Sequence, residues 1–257
     1  MSYGLWLSAA GLQASEYRQA VVANNLANIN TVGFKHDLAV LAERRVESQT
    51  PGGRPGPSHA VLDGLSGGTW VRPTYHSFEP GAPEPTGNPL DLAAIGTGRE
   101  FFPVSDGDEV RYTRDGRFTL NDDYELVMVA GQGRHKLLDE VGLPIVLPGG
   151  EFGPVDIDAN GFVVQDGAIV GRIAAVEFAD TSKLRKVGEN LFDANDTPHV
   201  PSDARLMQGH VERSTVDPIA GLTQMIEVSR AYQLNATMIQ LQDQLTGQAV
   251  QTVGRIG

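Results

Sequence analysis

Any chemistry this chain performs must come from a short set of residue arrangements. Gly64-Leu65-Ser66-Gly67-Gly68 satisfies G-x-S-x-G, the pattern that lifts a nucleophilic serine off a strand-to-helix turn. Its sequel, Thr69-Trp70-Val71-Arg72-Pro73, is extended-chain composition closed by a proline, so Ser66 reads as part of a turn. Asp156-x-Asp158-x-Asn160-Gly161 opens as a calcium loop does, with oxygens at alternate positions and a glycine at the sixth. The twelfth position is Gly167, where a bidentate glutamate belongs, and strands are expected on either side; a polar β-turn is the better reading. Gly96-Thr97-Gly98 lacks the third glycine of a dinucleotide fingerprint, Phe101 standing there, and no Gly-Lys-Ser/Thr occurs. The histidines, His36, His59, His76, His135, His199 and His210, never pair at i, i+3 or i+4 and read as surface residues. Asp122-Asp123, or Asp106 with Asp108, read as solvated loops sooner than as an acid/base pair. The expectation is therefore no catalytic residue, no cofactor and no metal.

Composition narrows the classes further. With 257 residues, 40% hydrophobic and 20% charged, the chain can bury a real core, while 30 Gly and 15 Pro are too many for a helical bundle. The 20 Lys and Arg against 32 Asp and Glu leave a charge of −12, which repels a phosphate backbone, so no nucleic acid is expected as partner. Without cysteine there is no disulfide, thiolate zinc site or cysteine nucleophile. Met1 to Ala14 carries no basic residue ahead of an apolar stretch broken by Ser8, Gly11 and Gln13, unlike a secretory signal peptide. Apolar runs never reach eighteen residues, so no membrane insertion is expected.

The elements follow from spacing. Gly4 to about Asn30 is free of proline and places Leu5, Ala9 and Leu12 on one helical face, continued by the small residues Ala20, Ala23 and Ala27 beside Leu26. Asn-Ile-Asn-Thr-Val-Gly should end this helix, with Gly33 able to take positive φ. At the other end Asp217-Pro218 reads as an N-cap and first helical position. Met225, Tyr232 and Ile239 then recur every seven residues beside Leu222, Ser229 and Ala236, before Leu234, Met238, Leu241 and Leu245 take over, a heptad-like seam that drifts around a helix of about 33 residues. Gln49 to Pro57 and Glu79 to Pro89 are Pro/Gly-rich connectors. Residues 90–200 are short apolar runs between turn signals, a β-domain pattern, with strands expected over Leu126–Val129, Ile145–Leu147, Phe162–Val164 and Ile169–Phe178. Arg114-Asp115-Gly116-Arg117 supplies an Asp-Gly turn between Val110/Tyr112 and Phe118/Leu120, which predicts a hairpin.

Ala23-Asn24-Asn25-Leu26-Ala27-Asn28, followed by Thr31, Gly33, Phe34 and Lys35, resembles the N-terminal signature of the bacterial flagellar axial family, the rod, hook and hook-associated subunits. Tyr112-Thr113-Arg114-Asp115-Gly116 with Phe118 is similar to the hairpin of the family's β-domain, and Gly188-Glu189-Asn190-Leu191-Phe192 to its later Gly-x-Asn-Leu segment. Gln208-Gly209-His210-Val211-Glu212 with Ser214, Val216 and Asp217 resembles the passage into the C-terminal helix, and Met225-Ile226 and Arg230-Ala231-Tyr232 with Asn235 and Met238 resemble the C-terminal signature. The chain departs from the family at Arg99-Glu100-Phe101-Phe102-Pro103, where a Gly-Phe-Phe is usual, and at Tyr124-Glu125, where a glycine is expected after the Asp122-Asp123 turn.

The resemblance implies an α+β fold in which long N- and C-terminal helices pair as a coiled-coil-like inner layer, with a central, mainly antiparallel β-domain as the outer wall. The expected order is an N-terminal assembly helix and signature loop (1–35), an extended connector (36–89), a β-rich outer domain (90–200), a return connector (201–216) and a C-terminal assembly helix (217–257). The length fits a rod subunit; Leu5-Trp6 leans to the distal type and the connector ending Asn88-Pro89-Leu90-Asp91-Leu92-Ala93 to the proximal type. The implied role is a structural subunit polymerising into the periplasmic drive shaft, exported through the flagellar type III apparatus without a cleaved signal. Copies of itself and other rod and hook subunits are the implied partners. The assembly interface is expected at Leu5, Ala9, Leu12, Ala23, Asn24, Asn25, Leu26, Ala27, Asn28, Thr31, Gly33 and Phe34, and at Leu222, Met225, Ile226, Arg230, Ala231, Tyr232, Asn235, Met238 and Ile239. The alternatives are a non-polymerising adaptor that uses the same helices and, further off, a hydrolase built on Ser66.

Overall fold

The computed structural model describes residues 3–43, 68–149 and 153–253; Ser66, His59 and the 49–57 connector lie outside the described residues. The described residues form two compact units, one of 3–27, 37–43, 68–75 and 217–253, the other of 28–36, 76–149 and 153–216.

The first unit is built on two helices, α1 (Tyr3–Ala27) and α2 (Pro218–Val253). Asp217 caps α2 as its sequence predicts, its Oδ1 accepting the N–H groups of Ile219 at 2.8 Å and Ala220 at 3.1 Å. With 36 residues α2 extends about 54 Å. The helices run antiparallel, with Gly4 against Gln242, Gly11 against Asn235 and Gly221 against Leu26. On α1 the inward side carries Ser8, Ser15 and Val22, seven residues apart and all buried; Val228 is its buried counterpart on α2. This seam is turned by one position from the Leu5, Ala9, Leu12 face. Leu5 and Leu12 are half-buried, and Ala9, Ala20, Ala23 and Ala27 are exposed. The reason is steric, because backbones approach most closely where side chains are smallest. A Cβ on Gly11 would come within 2.7 Å of Asn235 Oδ1. Near the end of α1, Asn25 mimics a backbone pair, its Nδ2 donating to Asp37 O at 2.7 Å and its Oδ1 accepting Asp37 N–H at 2.8 Å. A strand pair, Leu41–Glu43 with Thr69–Val71, completes the unit beside α1.

The second unit is antiparallel. Its main sheet orders Arg185–Gly188, Leu191–Asp193, Val110–Thr113, Glu100–Ser105, Lys136–Leu137, Leu126–Met128 and Phe118–Leu120, and Val176–Phe178 joins Glu100–Ser105 to His199–Pro201. The Glu100–Ser105 strand feeds two cores through its period of two. Phe102 and Val104 enter an aliphatic cluster with Leu126, Met128, Leu137 and Leu147. Phe101 enters an aromatic one with Phe78, Tyr112, Phe178 and Phe192. A three-stranded meander runs Val155–Ile157, Phe162–Gln165, Ala168–Arg172. Two predicted strands come out differently: 145–147 makes only isolated bridges, and 169–178 divides into Ala168–Arg172 and Val176–Phe178.

The predicted Arg114–Arg117 hairpin is corrected. Val110–Thr113 pairs with Glu100–Ser105 and Leu191–Asp193, whereas Phe118–Leu120 pairs with Leu126–Met128. A hairpin tip sits in water; here Thr113, Arg114 and Asp115 are buried, and Gly116 O accepts Leu92 N–H at 2.8 Å, so the chain crosses the interior between two parts of the sheet. Asp115 is neutralised in passage by Arg117 at 2.7 Å.

Filling the close approach between helices is expected to separate them. Gly11→Leu should lower the unfolding free energy by about 1–3 kcal/mol, whereas Gly247→Ala, with nothing within 4 Å of the added carbon, should raise it by about 0.5–1 kcal/mol. Helical circular dichroism followed through urea unfolding reads both.

Candidate assembly site

Lys35 is the last residue of the N-terminal signature. Its side chain is fully buried and its ammonium donates to Glu212 Oε1 at 2.7 Å and to Glu79 O at 2.6 Å. Glu212 is shared. Its Oε2 accepts Arg114 Nε at 2.7 Å, and its Oε1 also accepts Gly81 N–H at 2.5 Å. Arg114 reaches on to Glu100, at 2.5 Å from the carbonyl and 3.2 Å from the carboxylate. Two cations and two anions thus balance in the interior, as buried charges must.

Glu100 occupies the place of the family's expected glycine and explains the Gly96-Thr97-Gly98 loop. Thr97 N–H donates to its carboxylate at 2.6 Å and Gly98 N–H at 2.9 Å, so the loop holds the chain's own carboxylate where a phosphate reading would put a ligand. Burial pushes the Glu100 carboxyl up, but the Thr97 bonds and the Arg114 guanidinium together hold it below its usual range.

The loop that carries Lys35 is fixed along its length. Gly33 takes φ 66°, and a Cβ there would fall 2.3 Å from Arg114 O. Its N–H donates to Glu212 O at 2.7 Å. Asn190 Nδ2 donates to Val32 O at 2.6 Å, Lys186 Nζ donates to Lys35 O at 2.7 Å and stands 4.0 Å from the Phe34 ring centroid, and Thr215 N–H donates to Phe34 O at 3.1 Å. Four segments distant in sequence, around 33, 114, 190 and 212, therefore meet at one place. Gly33 and Phe34, expected on the assembly interface, are spent inside this unit.

Other expected interface residues belong to the helical unit. Asn25 holds Asp37, and Leu26 and Asn235 lie where α1 meets α2. Met225, Ala231 and Ile239 are half-buried. On α2 six large apolar residues are exposed, Leu222, Ile226, Leu234, Met238, Leu241 and Leu245, Leu234 by 68% and Met238 by 47%, and the last four share one stripe beside the seam with α1. Thr31 closes the turn after α1, its N–H donating to Asn28 O at 3.1 Å.

Within the Asp156–Gly161 stretch, Asp156 lies on the strand Val155–Ile157 and 158–161 form a turn in which Asp158 Oδ1 accepts the N–H groups of Asn160 and Phe162, both at 2.9 Å; no group of three metal-ligating side chains occurs among the described residues. His135, expected at the surface, is buried beside Glu189 at 3.3 Å. Tyr124, in the place of the expected glycine, takes φ 61° at the 121–125 turn, which Asn121 Oδ1 holds by accepting the N–H groups of Asp123 and Glu125. Among the described residues no helix is long and apolar enough to cross a membrane.

Three family descriptions match the chain: flagella basal body rod protein over residues 7–35, flagellar hook protein FlgE/F/G D1 domain over 94–170, and flagellar basal body rod FlgEFG protein C-terminal over 207–252. The chain is 38% identical to the flagellar basal-body rod protein FlgF of Caulobacter vibrioides, across 92% of this chain and 91% of the relative. It is 33% identical to the rod protein FlgG of Buchnera aphidicola from Schizaphis graminum, across 94% and 96%. With FlgG of Bacillus subtilis the identity is 32%, across 97% and 98%. Lys35, Arg114 and Glu212 fall one in each of the three matched segments, so the ion cluster is where those segments meet.

Glu212→Gln leaves Lys35 and Arg114 without their shared carboxylate and should lower stability by about 3–5 kcal/mol. Lys35→Met keeps the Arg114–Glu212 pair and should cost less. Urea unfolding read by near-UV circular dichroism ranks the two. Burial, reinforced by Arg114 against the pull of Glu212, pushes the Lys35 ammonium down from 10.5 to about 8. The folded chain then releases this proton before the unfolded chain does, so between about pH 8 and 10.5 stability gains with rising pH. The stability of the wild type relative to Lys35→Met should therefore be greater at about pH 9.5 than at about pH 7.5; an unchanged difference would show a lysine of ordinary acidity.

Proposed function

The chain belongs to the FlgF/FlgG family of flagellar basal-body rod proteins, and from that premise we propose that it builds the rod by polymerising through its terminal helices, which supply a coiled-coil-like inner layer while the β-rich unit forms the outer wall. That it is a structural subunit of the basal-body rod, assembling with other rod and hook subunits, follows from the relatives it matches over nearly its whole length. The work of such a subunit lies in interfaces and not in turnover, and we read it as no enzyme.

One observation carries the polymerisation reading. The large apolar residues of α2 lie outside the small-residue seam with α1, so one chain alone leaves them in water. At roughly 25 cal/mol per Å², covering such a row against further copies is the step that rewards assembly. Head-to-tail contacts that do not close produce a helical tube. We place the route to the periplasm through the flagellar type III apparatus.

Met238 is a cleaner probe than Leu26, which lies against Gly221 within the chain's own helix pair. Met238→Asp should abolish tubes in negative-stain images of concentrated protein with its rod neighbours, while near-UV circular dichroism shows the β-rich unit unchanged. Tubes formed normally by the variant would remove α2 from the interface, and wild-type protein that binds rod neighbours without forming tubes would make it an adaptor.

A further inference from the structure

We infer that a groove on the outer side of α1 is the seat that receives the leucine row of α2 from a neighbouring copy. This rests on the rod-polymer reading and adds to it the receiving surface. The groove is a cavity of about 530 Å³ floored by Ala9, Ala10 and Ala14 and walled by Trp6, Tyr17 and Trp70, the last from the strand Thr69–Val71. It lies on a different side of α1 from the seam with the chain's own α2, which uses Gly4, Ser8, Gly11, Ser15 and Val22. Trp70 is 57% exposed, and among the described residues none that lines the groove is charged.

An uncharged groove on a chain of net charge −12 selects against most of that chain's own surface. The row Leu234, Met238, Leu241, Leu245 meets the requirement. All four are exposed, and Asp243 is the single charged residue from 234 to 245. Asp243 stands two positions from both Leu241 and Leu245, which turns it to the far side of the helix. A ridge of leucines at four- and three-residue steps fits between alanines as helix ridges fit grooves, and tryptophans at a groove's edges are the residues that most often dominate such contacts. Within one chain this row cannot reach the groove, because Gln242 and Asn235 turn α2 toward the Gly4 and Gly11 side of α1.

The chain has no cysteine, so introduced thiols are the sole thiols present. Since Gly11 faces Asn235, residue 13 lies opposite about residue 233, and residue 245 is about 18 Å further along, beyond the roughly 7 Å Cα reach of a disulfide. Full-length Gln13→Cys/Leu245→Cys, concentrated and mildly oxidised, should give a ladder of dimers, trimers and higher species on a non-reducing gel, each single variant stopping at dimer. Trp70→Ala should raise the concentration for half-assembly about tenfold, and Val129→Asp, on the β-rich unit, should leave it unchanged. Tubes seen by negative stain with the thiol pair uncrosslinked, or Trp70→Ala assembling like wild type, would overturn the groove as the seat. Wild-type protein that forms no tubes would overturn the polymer reading, and the groove assignment with it.

Discussion

A carboxylate buried between two cations has few places to be. Glu212 accepts from Lys35 on one oxygen and from Arg114 on the other, and Arg114 continues to Glu100. None of these groups has access to water, so each depends on the others for the solvation it lost on folding. The arrangement fixes more than four side chains. It sets where the 28–36 loop ends, forces residues 113–116 through the interior instead of around a tip, and holds the strand His210–Glu212 against Pro83–Pro85. In sequence these segments lead out of α1 and into α2, so the ion cluster governs the stretches from which both helices depart.

The helical unit follows the opposite rule. On α1 its internal seam is made of glycine, serine and a valine, met on α2 by Val228, Asn235 and Gln242, which permits close approach but buries little apolar area. The large residues are placed elsewhere. An exposed apolar row such as Leu234 to Leu245 is the mark of an interaction surface. The same division explains why the chain holds its charges in and around the β-rich unit and only Glu227, Arg230 and Asp243 across the 36 residues of α2.

Much of this is legible in residue order. The Asp217-Pro218 start of α2, the turn after α1, the left-handed Gly33 and the β-rich middle all rest on local preferences that neighbours in sequence decide. The Arg114–Arg117 segment misleads for a physical reason: Asp-Gly favours a turn only when both sides of the turn pair with each other, and here each strand finds a stronger partner elsewhere. The seam on α1 leaves no apolar periodicity in the sequence, because what admits α2 is the absence of side chain. Lys35 was visible only as the last letter of a signature.

The sequence by itself determined the two terminal helices, the uncharged C-terminal row and membership in the axial family, since each is carried by spacing within a few turns of chain. Only the tertiary structure decided that residues 35, 100, 114 and 212 share one buried set of charges and that Ser8, Ser15 and Val22 face α2. Pairings across a hundred residues or more leave no local mark, because a buried charge records the need for a partner and not its address.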